Sequence, residues 1–349
     1  MGKARWFIGI ALLALTGIGM ATALSGTPAA STPAEVSEST GPIYAGNFPD
    51  PSILVTKDRY YAYSTQSSGR NIQVISSNDL TSWGRPGDAL PVLPTWAEVG
   101  LTWAPAVSDD PSGGYEMFFV ARDRTLGVQC IGRATAPSPQ GPFIDSNNQP
   151  FLCQTSLGGS IDPYVFEDAG TSYLIWKSDG ANGAPQQLWS QPLDTNQSAL
   201  VGSPSLLLSA TSRWEAGVVE GPAMLQTGSG LFLYFSGNRW STSAYSIGVV
   251  GCDTPLGPCV NAPTGQELST KSKLSGPGGA TFFVANNGQT MMAFAAWTGD
   301  PGAANARREL YLAYVDTEGV QPTLIEVLVP GRSHRAVGDT TNSQRRLTR

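Results

Sequence analysis

Between Gly41 and Pro330 the apolar residues follow no helical spacing. They gather in short unbroken runs, rich in β-branched and aromatic side chains, separated by Gly, Pro, Asn, Asp and Ser. Ser52-Ile-Leu-Val-Thr56, Tyr60-Tyr-Ala-Tyr-Ser64 and Ile72-Gln-Val-Ile75 open the series. Tyr115-Glu-Met-Phe-Phe-Val120, Tyr173-Leu-Ile-Trp176, Leu231-Phe-Leu-Tyr-Phe235, Met291-Met-Ala-Phe294 and Leu310-Tyr-Leu-Ala-Tyr-Val315 continue it. Runs of this length between turn formers predict strands and an all-β chain.

The runs also repeat. Each unit opens on a small or acidic residue with Pro or Gly, passes through an apolar strand, crosses a turn and enters an aromatic second strand. The openings are Asp50-Pro51, Ala104-Pro105, Asp162-Pro163, Gly221-Pro222 and Gly278-Gly279, at intervals of 54, 58, 59 and 57 residues. Two units close on a similar phrase, Ala136-Pro-Ser-Pro-Gln-Gly-Pro142 and Asp253-Thr-Pro-Leu-Gly-Pro258. A steady interval filled by four-stranded units predicts a five-bladed β-propeller, a single domain over residues 41–330. A large β-sandwich or jelly roll would leave the interval unexplained.

Composition narrows the chemistry. The chain has 349 residues, 14% of them charged, a net charge of −6 and one histidine, His334. An acidic chain lacks the basic face of a nucleic-acid binder. One imidazole, set among basic residues in Gly331-Arg-Ser-His-Arg335, cannot build a Ser-His-Asp triad or a multi-histidine zinc site. Acid–base chemistry therefore falls to carboxylates. At the N-terminus, Lys3 and Arg5 precede an apolar run from Trp6 to Met20 and the A-x-A site Ala21-Thr22-Ala23, which predicts a signal peptide over residues 1–23. An uncleaved anchor is the competing reading of that run. Residues 24–40 read as a flexible Ser/Thr/Pro linker, and residues 331–349 as a disordered basic tail. A secreted monomer, free of the membrane after cleavage, is expected.

Export permits disulfides. Of the three connectivities open to four cysteines, pairing close neighbours joins Cys130 to Cys153 and Cys252 to Cys259. Neither pair is C-x-x-C, so both read as structural.

In a propeller the first strand of each blade runs along the central channel, so the blade openings face one another around the axis. Asp50, Asp162 and Glu220 stand at the openings of the first, third and fourth units. Three carboxylates distant in sequence are therefore expected at one mouth. Taken singly, Asp50 and Asp162 could be Asp-Pro turn formers. Glu220, in Val218-Val-Glu-Gly-Pro222, follows an apolar pair where a carboxylate is costly without a partner or a task. Like charges held close keep one carboxyl protonated near neutrality. A protonated carboxyl facing an ionised one is the tool of glycosidic cleavage.

These motifs resemble glycoside hydrolase family 43, inverting enzymes acting on arabinose- and xylose-containing glycans on a five-bladed propeller. Asn47-Phe-Pro-Asp-Pro-Ser-Ile53 is similar to the first-blade motif and implies Asp50 as general base. Gly159-Ser-Ile-Asp-Pro-Tyr-Val-Phe166 implies Asp162 as the residue that orients the acid and tunes its pKa. Val219-Glu-Gly-Pro-Ala-Met224 implies Glu220 as general acid. Thr102-Trp-Ala-Pro-Ala-Val107 resembles the second-blade motif and implies Trp103 in the sugar pocket. Arg308, in Arg308-Glu-Leu-Tyr-Leu312, stands where relatives carry a sugar-contacting Arg, and Trp240, ending Leu233-Tyr-Phe-Ser-Gly-Asn-Arg-Trp240, is the second cleft candidate. The family's fifth-blade histidines, which serve a metal or water at the channel centre, are missing from Gly276-Pro-Gly-Gly-Ala280 and Phe294-Ala-Ala-Trp297. That departure speaks against the calcium of many relatives, and no cofactor is expected.

The implied partner is a polysaccharide or oligosaccharide. An α-L-arabinofuranosidase or arabinanase is expected before a β-xylosidase, because family xylosidases often append a C-terminal β-sandwich while only about 20 residues follow the fifth blade. Retaining fructan-cleaving relatives carry N-D-P-N, R-D-P and E-C, against Pro49-Asp-Pro-Ser52, Ile161-Asp-Pro163 and Glu220-Gly221 here. The rival of another class is a carbohydrate-binding propeller without catalysis.

Overall fold

The apolar runs are unbroken because the sheets they build are covered on both faces. In β6, the neighbours Phe118 and Phe119 point into different cores, one shared with the third blade and one with the first. Alternation of hydrophobic and polar residues, the mark of a half-buried strand, has no place in such a sheet. The computed structural model describes residues 41–260, 266–270, 274–328 and 330. The predicted signal peptide, linker and basic tail with His334 lie outside the described residues.

Five antiparallel sheets succeed one another along the chain as blades. The first holds β1 (Ser52–Val55), β2 (Tyr60–Ser64), β3 (Gln73–Ser77) and β4 (Gly87–Asp88). The second holds β5 (Ala97–Asp109), β6 (Tyr115–Asp123) and β7 (Gln129–Ala136). The third is built from β8 (Ser160–Asp168), β9 (Thr171–Ser178), β10 (Gln187–Pro192) and β11 (Ser205–Ser209). The fourth runs through β12 (Val219–Thr227), β13 (Gly230–Gly237) and β14 (Ser246–Cys252), with β15 (Cys259–Val260) and β16 (Gln266–Leu268) both paired to β14. The fifth holds β17 (Ser275–Val284), β18 (Thr290–Thr298), β19 (Arg307–Asp316) and β20 (Thr323–Val327).

The expectation of four strands in every unit is corrected in two blades. The second has three, and a fourth is marked only by isolated bridges from Ile131 to Leu152 and from Thr135 to Ile144. Pro137, Pro139, Pro142 and Pro150 populate that segment and have no N–H to give a ladder. In the fourth blade the outer strand comes in two pieces. Both expected disulfides are formed. Cys130–Cys153 ties β7 to the irregular outer segment, and Cys252–Cys259 joins residues directly opposite in β14 and β15.

Five apolar clusters hold the described residues together, each sandwiched between two neighbouring blades. The ring closes between blades five and one. There the segment before β1 lies along β19, with Ile43 N–H donating to Leu310 O at 2.8 Å and Phe48 N–H to Arg308 O at 2.7 Å. Phe48 is fully buried in that seam. Among the described residues no helix is long and apolar enough to cross a membrane.

Candidate active site

In blades two to five the first strand breaks its register at the same place, whereas β1 pairs with β2 without a slip. The ladders slip between Trp103 and Ala106, Ile161 and Tyr164, Glu220 and Ala223, and Gly278 and Thr281. Just after each of these first residues comes one in the left-handed region: Ala104 (φ 39°), Asp162 (53°), Gly221 (55°) and Gly279 (68°), with Asp50 (54°) completing the ring in the first blade. A bulge bends the strand and re-aims its side chains, here around the axis. These five residues and those that follow them line a cavity of about 50 Å³.

The bulge corrects one expectation. Asp50 and Asp162 share the left-handed position, but Glu220 stands one residue earlier, in phase with Trp103, Ile161 and Gly278. Glu220 therefore does not line the cavity. Its side chain meets Lys177 of the third blade, which donates from Nζ to Oε2 at 2.8 Å. The next residue, Gly221, donates its N–H to Asp162 Oδ2 at 2.9 Å. The one-residue offset thus leaves Glu220 on the Lys177 ammonium and its neighbour Gly221 on Asp162, so the two carboxylates of adjacent blades act on each other and on one lysine.

The three carboxylates have different surroundings. Asp50 accepts from Thr65 Oγ1 at 2.8 Å and from Arg308 Nη1 at 3.1 Å, one donor to each oxygen. Thr65 in turn accepts from the Ala104 N–H, so the second blade helps to aim the first blade's carboxylate. Burial pushes the Asp162 carboxyl up to about 7, the Glu220 charge adds to this, and Lys177 opposes it. Burial alone would pull the Lys177 ammonium down, but Glu220 and Asp162 outweigh it and hold the lysine above its ordinary value. Asp179, the next acid along the chain, is raised by burial against the pull of Lys177.

The other expected residues are distributed around this centre. Arg308 is 4% exposed and packs its guanidinium 5.2 Å from the centre of the buried Tyr245 ring. Its Nε and Nη2 find no partner among the described residues. Trp103 is half-buried against the core shared by blades two and three, one residue from the cavity-lining Ala104. Trp240 is 53% exposed and stacks on Trp297 rather than touching a carboxylate.

Lys177 is the residue that sequence reasoning missed. It follows Tyr173-Leu-Ile-Trp176 and stands directly opposite Ile161, the neighbour of Asp162. A lysine closing an aromatic strand, where lysines are almost never buried without a partner, was the available signal.

A calcium held by imidazole does not fit the channel centre. There is no histidine among the described residues, and even a Cβ at Gly279 would approach Asp50 Oδ1 to 3.2 Å. Among the described residues no cluster of three or more His, Cys, Asp or Glu is placed to hold a metal ion.

Residues 39–319 match the family model of Glycosyl hydrolases family 43. The arabinoxylan arabinofuranohydrolase of Bacillus subtilis (strain 168) is 29% identical over 200 residues, covering 45% of this chain and 38% of that protein. The extracellular endo-α-(1→5)-L-arabinanase 2 of the same organism is 25% identical over 268 residues, covering 67% of this chain and 53% of that one. The chain thus aligns with about half or less of the length of these two relatives. The crystal structure of a thermostable family-43 glycoside hydrolase superimposes with a TM-score of 0.74 at 26% identity, covering 83% of this chain and 96% of that one. With a five-bladed propeller, carboxylates gathered at its axis and a family match over most of its length, the chain belongs to glycosyl hydrolase family 43, a family of glycosidases.

Proposed function

We propose that the protein is a secreted, inverting glycoside hydrolase of arabinose- or xylose-containing glycans, with arabinan and α-L-arabinofuranosides as the first candidates. An arabinofuranohydrolase, an arabinanase and a xylan 1,3-beta-xylosidase all stand among its relatives, which supports this class of glycans without ordering its members. In this reading it works as a monomer on a polysaccharide or oligosaccharide, needs no cofactor, and binds neither nucleic acid nor membrane.

The observation that carries the reading is that Asp50, Asp162 and Glu220 meet around one axis in three unlike settings. Carboxyl groups with unlike partners and exposure are suited to unlike roles. Asp50, with its side chain 31% exposed and a donor on each oxygen, is the base. It takes a proton from water as the water oxygen attacks the anomeric carbon. Glu220 gives its proton to the departing oxygen on the other face of the sugar, and the product emerges inverted. An inverting pair stands roughly 6.5–9.5 Å apart, leaving room for the water. Asp162 and Lys177 act through Glu220: the aspartic acid shares its proton, and the ammonium holds its carboxyl in place. Trp103 offers a wall for the sugar's C–H face, the unpaired Arg308 N–H groups offer donors to its hydroxyls, and Trp240 stands at the rim.

The test is turnover of linear arabinan, arabino- and xylo-oligosaccharides and chromogenic arabinofuranoside and xyloside, with the anomeric product followed by NMR. Inverted product is expected, with Glu220→Gln and Asp50→Asn each slower by about 10²–10⁴-fold. Near-normal rates in either variant would remove the assignment. Binding without turnover by the unaltered protein would turn the reading to a carbohydrate-binding propeller.

A further inference from the structure

Two tryptophans on the mouth side of the fourth and fifth blades are stacked, and the catalytic reading makes no use of their pairing. The Trp240 and Trp297 rings lie 6.1 Å apart between centroids and within 14° of parallel. Trp297 Nε1 also donates to Trp240 O at 2.8 Å. Trp297 is directly opposite Arg308 across β18 and β19, and that arginine reaches Asp50. Its ring rests over Gly276, where a Cβ would come within 3.1 Å of Cδ1. Trp240 follows the end of β13, four residues beyond Ser236, the strand partner of Glu220. Both rings thus stand beside the carboxylate centre, on the blades that supply Glu220 and Arg308.

The loop that carries Trp240 is built to hold it. Asn238 takes the left-handed conformation (φ 71°) and donates from Nδ2 to Trp214 O at 3.1 Å. Its Oδ1 accepts from the Arg239 N–H at 2.9 Å, and Thr242 returns hydrogen bonds from both N–H and Oγ1 to Arg239 O. Yet this fixed indole is 53% exposed. An indole held in this way beside the carboxylate centre presents one flat apolar face, with a polar N–H edge, to whatever passes over it. Its neighbours Arg239, Ser241 and Ser243 are exposed and polar. One indole face within a polar border falls far short of the roughly 800 Å² per partner of a protein interface. It matches one sugar ring, with C–H bonds toward the indole and hydroxyls toward the border.

We propose that Trp240, backed by Trp297, forms a distal sugar subsite that grips a glycan continuing past the catalytic mouth, so that turnover depends on chain length. This rests on the glycoside-hydrolase reading above. Trp297 is a positioning residue in it, holding the exposed ring by stacking and by its hydrogen bond.

The experiment measures kcat/KM on linear arabino- and xylo-oligosaccharide ladders from two to eight sugars, for the unaltered protein, Trp240→Ala and Trp240→Phe. For the unaltered protein kcat/KM should climb with length. Trp240→Ala should lose about tenfold on the longest member, through KM, and much less on the shortest, flattening the climb. Trp240→Phe, which keeps a ring, should retain most of it. An unchanged climb in Trp240→Ala, or an equal loss at every length, overturns the proposal. If the unaltered protein turns over neither ladder, the catalytic reading fails by itself. The subsite is then decided by tryptophan-fluorescence titration with the eight-sugar members: tightening with length that Trp240→Ala abolishes upholds it, and its persistence overturns it.

Discussion

Lys177 links two carboxylates that must not behave alike. Its ammonium touches Glu220 and opposes the rise of Asp162, so its charge lowers the pH at which Asp162 gives up its proton. An opposite charge at this range shifts a carboxyl by about one to three units. Lys177→Met should therefore move the alkaline limb of the kcat/KM profile up by about one unit or more and lower the maximum. Lys177→Arg, which keeps the charge, should hold the limb near its place. A merely structural lysine would lower the rate without moving the limb. Asp162 itself bears on stability. Its native carboxyl binds a proton more tightly than the unfolded one, so it favours the fold fully below about pH 4, and this contribution is lost as pH rises through about 7. Asp162→Asn keeps an acceptor for the Gly221 N–H and suits the left-handed backbone. Thermal melts should find it gaining on the unaltered protein from pH 5 to pH 8, while its activity falls.

The left-handed residue at the mouth end of each inner strand, set in a bulge in blades two to five, is the element from which the site is made, and part of it could be read beforehand. Asp-Pro, Ala-Pro and Gly-Pro recur at the interval of a blade because the left-handed residue and its successor repeat around the axis. The bulge was hidden in its effect on Glu220, because a register slip leaves no mark on the order of residues and shows only against the partner strand. The same holds for Lys177, whose meeting with Glu220 spans 43 positions and two blades. Outer strands such as Gly87–Asp88 and Cys259–Val260 are too short to carry a pattern. At Gly278 the demand on the inner strand is sharpest: a Cβ there would lie 1.8 Å from Tyr245 Cε1, inside a buried ring that faces the Arg308 guanidinium. Gly278→Ala should cost about 2 kcal/mol or more in urea unfolding and reduce kcat by displacing Arg308. Gly251→Ala, on β14 where a Cβ would meet nothing within 4 Å, should leave both close to normal.

At the scale of the whole molecule, stability is divided among five cores, and only one of them closes a ring. Four are shared by blades joined directly through the chain. The fifth is shared by the first and last blades, so closing it must bring together residues more than 250 positions apart. Loop-closure entropy of that length opposes it, although the cost grows only slowly with length. What answers that cost is local: Phe48 in the seam, the Phe48 and Ile43 N–H groups on β19, and the Asn47 Oδ1 that accepts from the Arg308 N–H at 3.2 Å. The same few residues position Asp50 and Arg308, whose contact at 3.1 Å crosses the seam. Closure and catalysis therefore depend on one contact region. Phe48→Ala should cost about 3–5 kcal/mol by the loss of a fully buried ring, read as a fall in the urea midpoint. A lower kcat should accompany it under conditions where the variant is still folded, because the Asp50–Arg308 pair loses its backing. Ile175→Ala, an equally buried position in the core between blades three and four, should cost about 2–5 kcal/mol, read in the same way, while sparing kcat far more. Equal losses of kcat in the two variants would show that the seam has no special hold on the site.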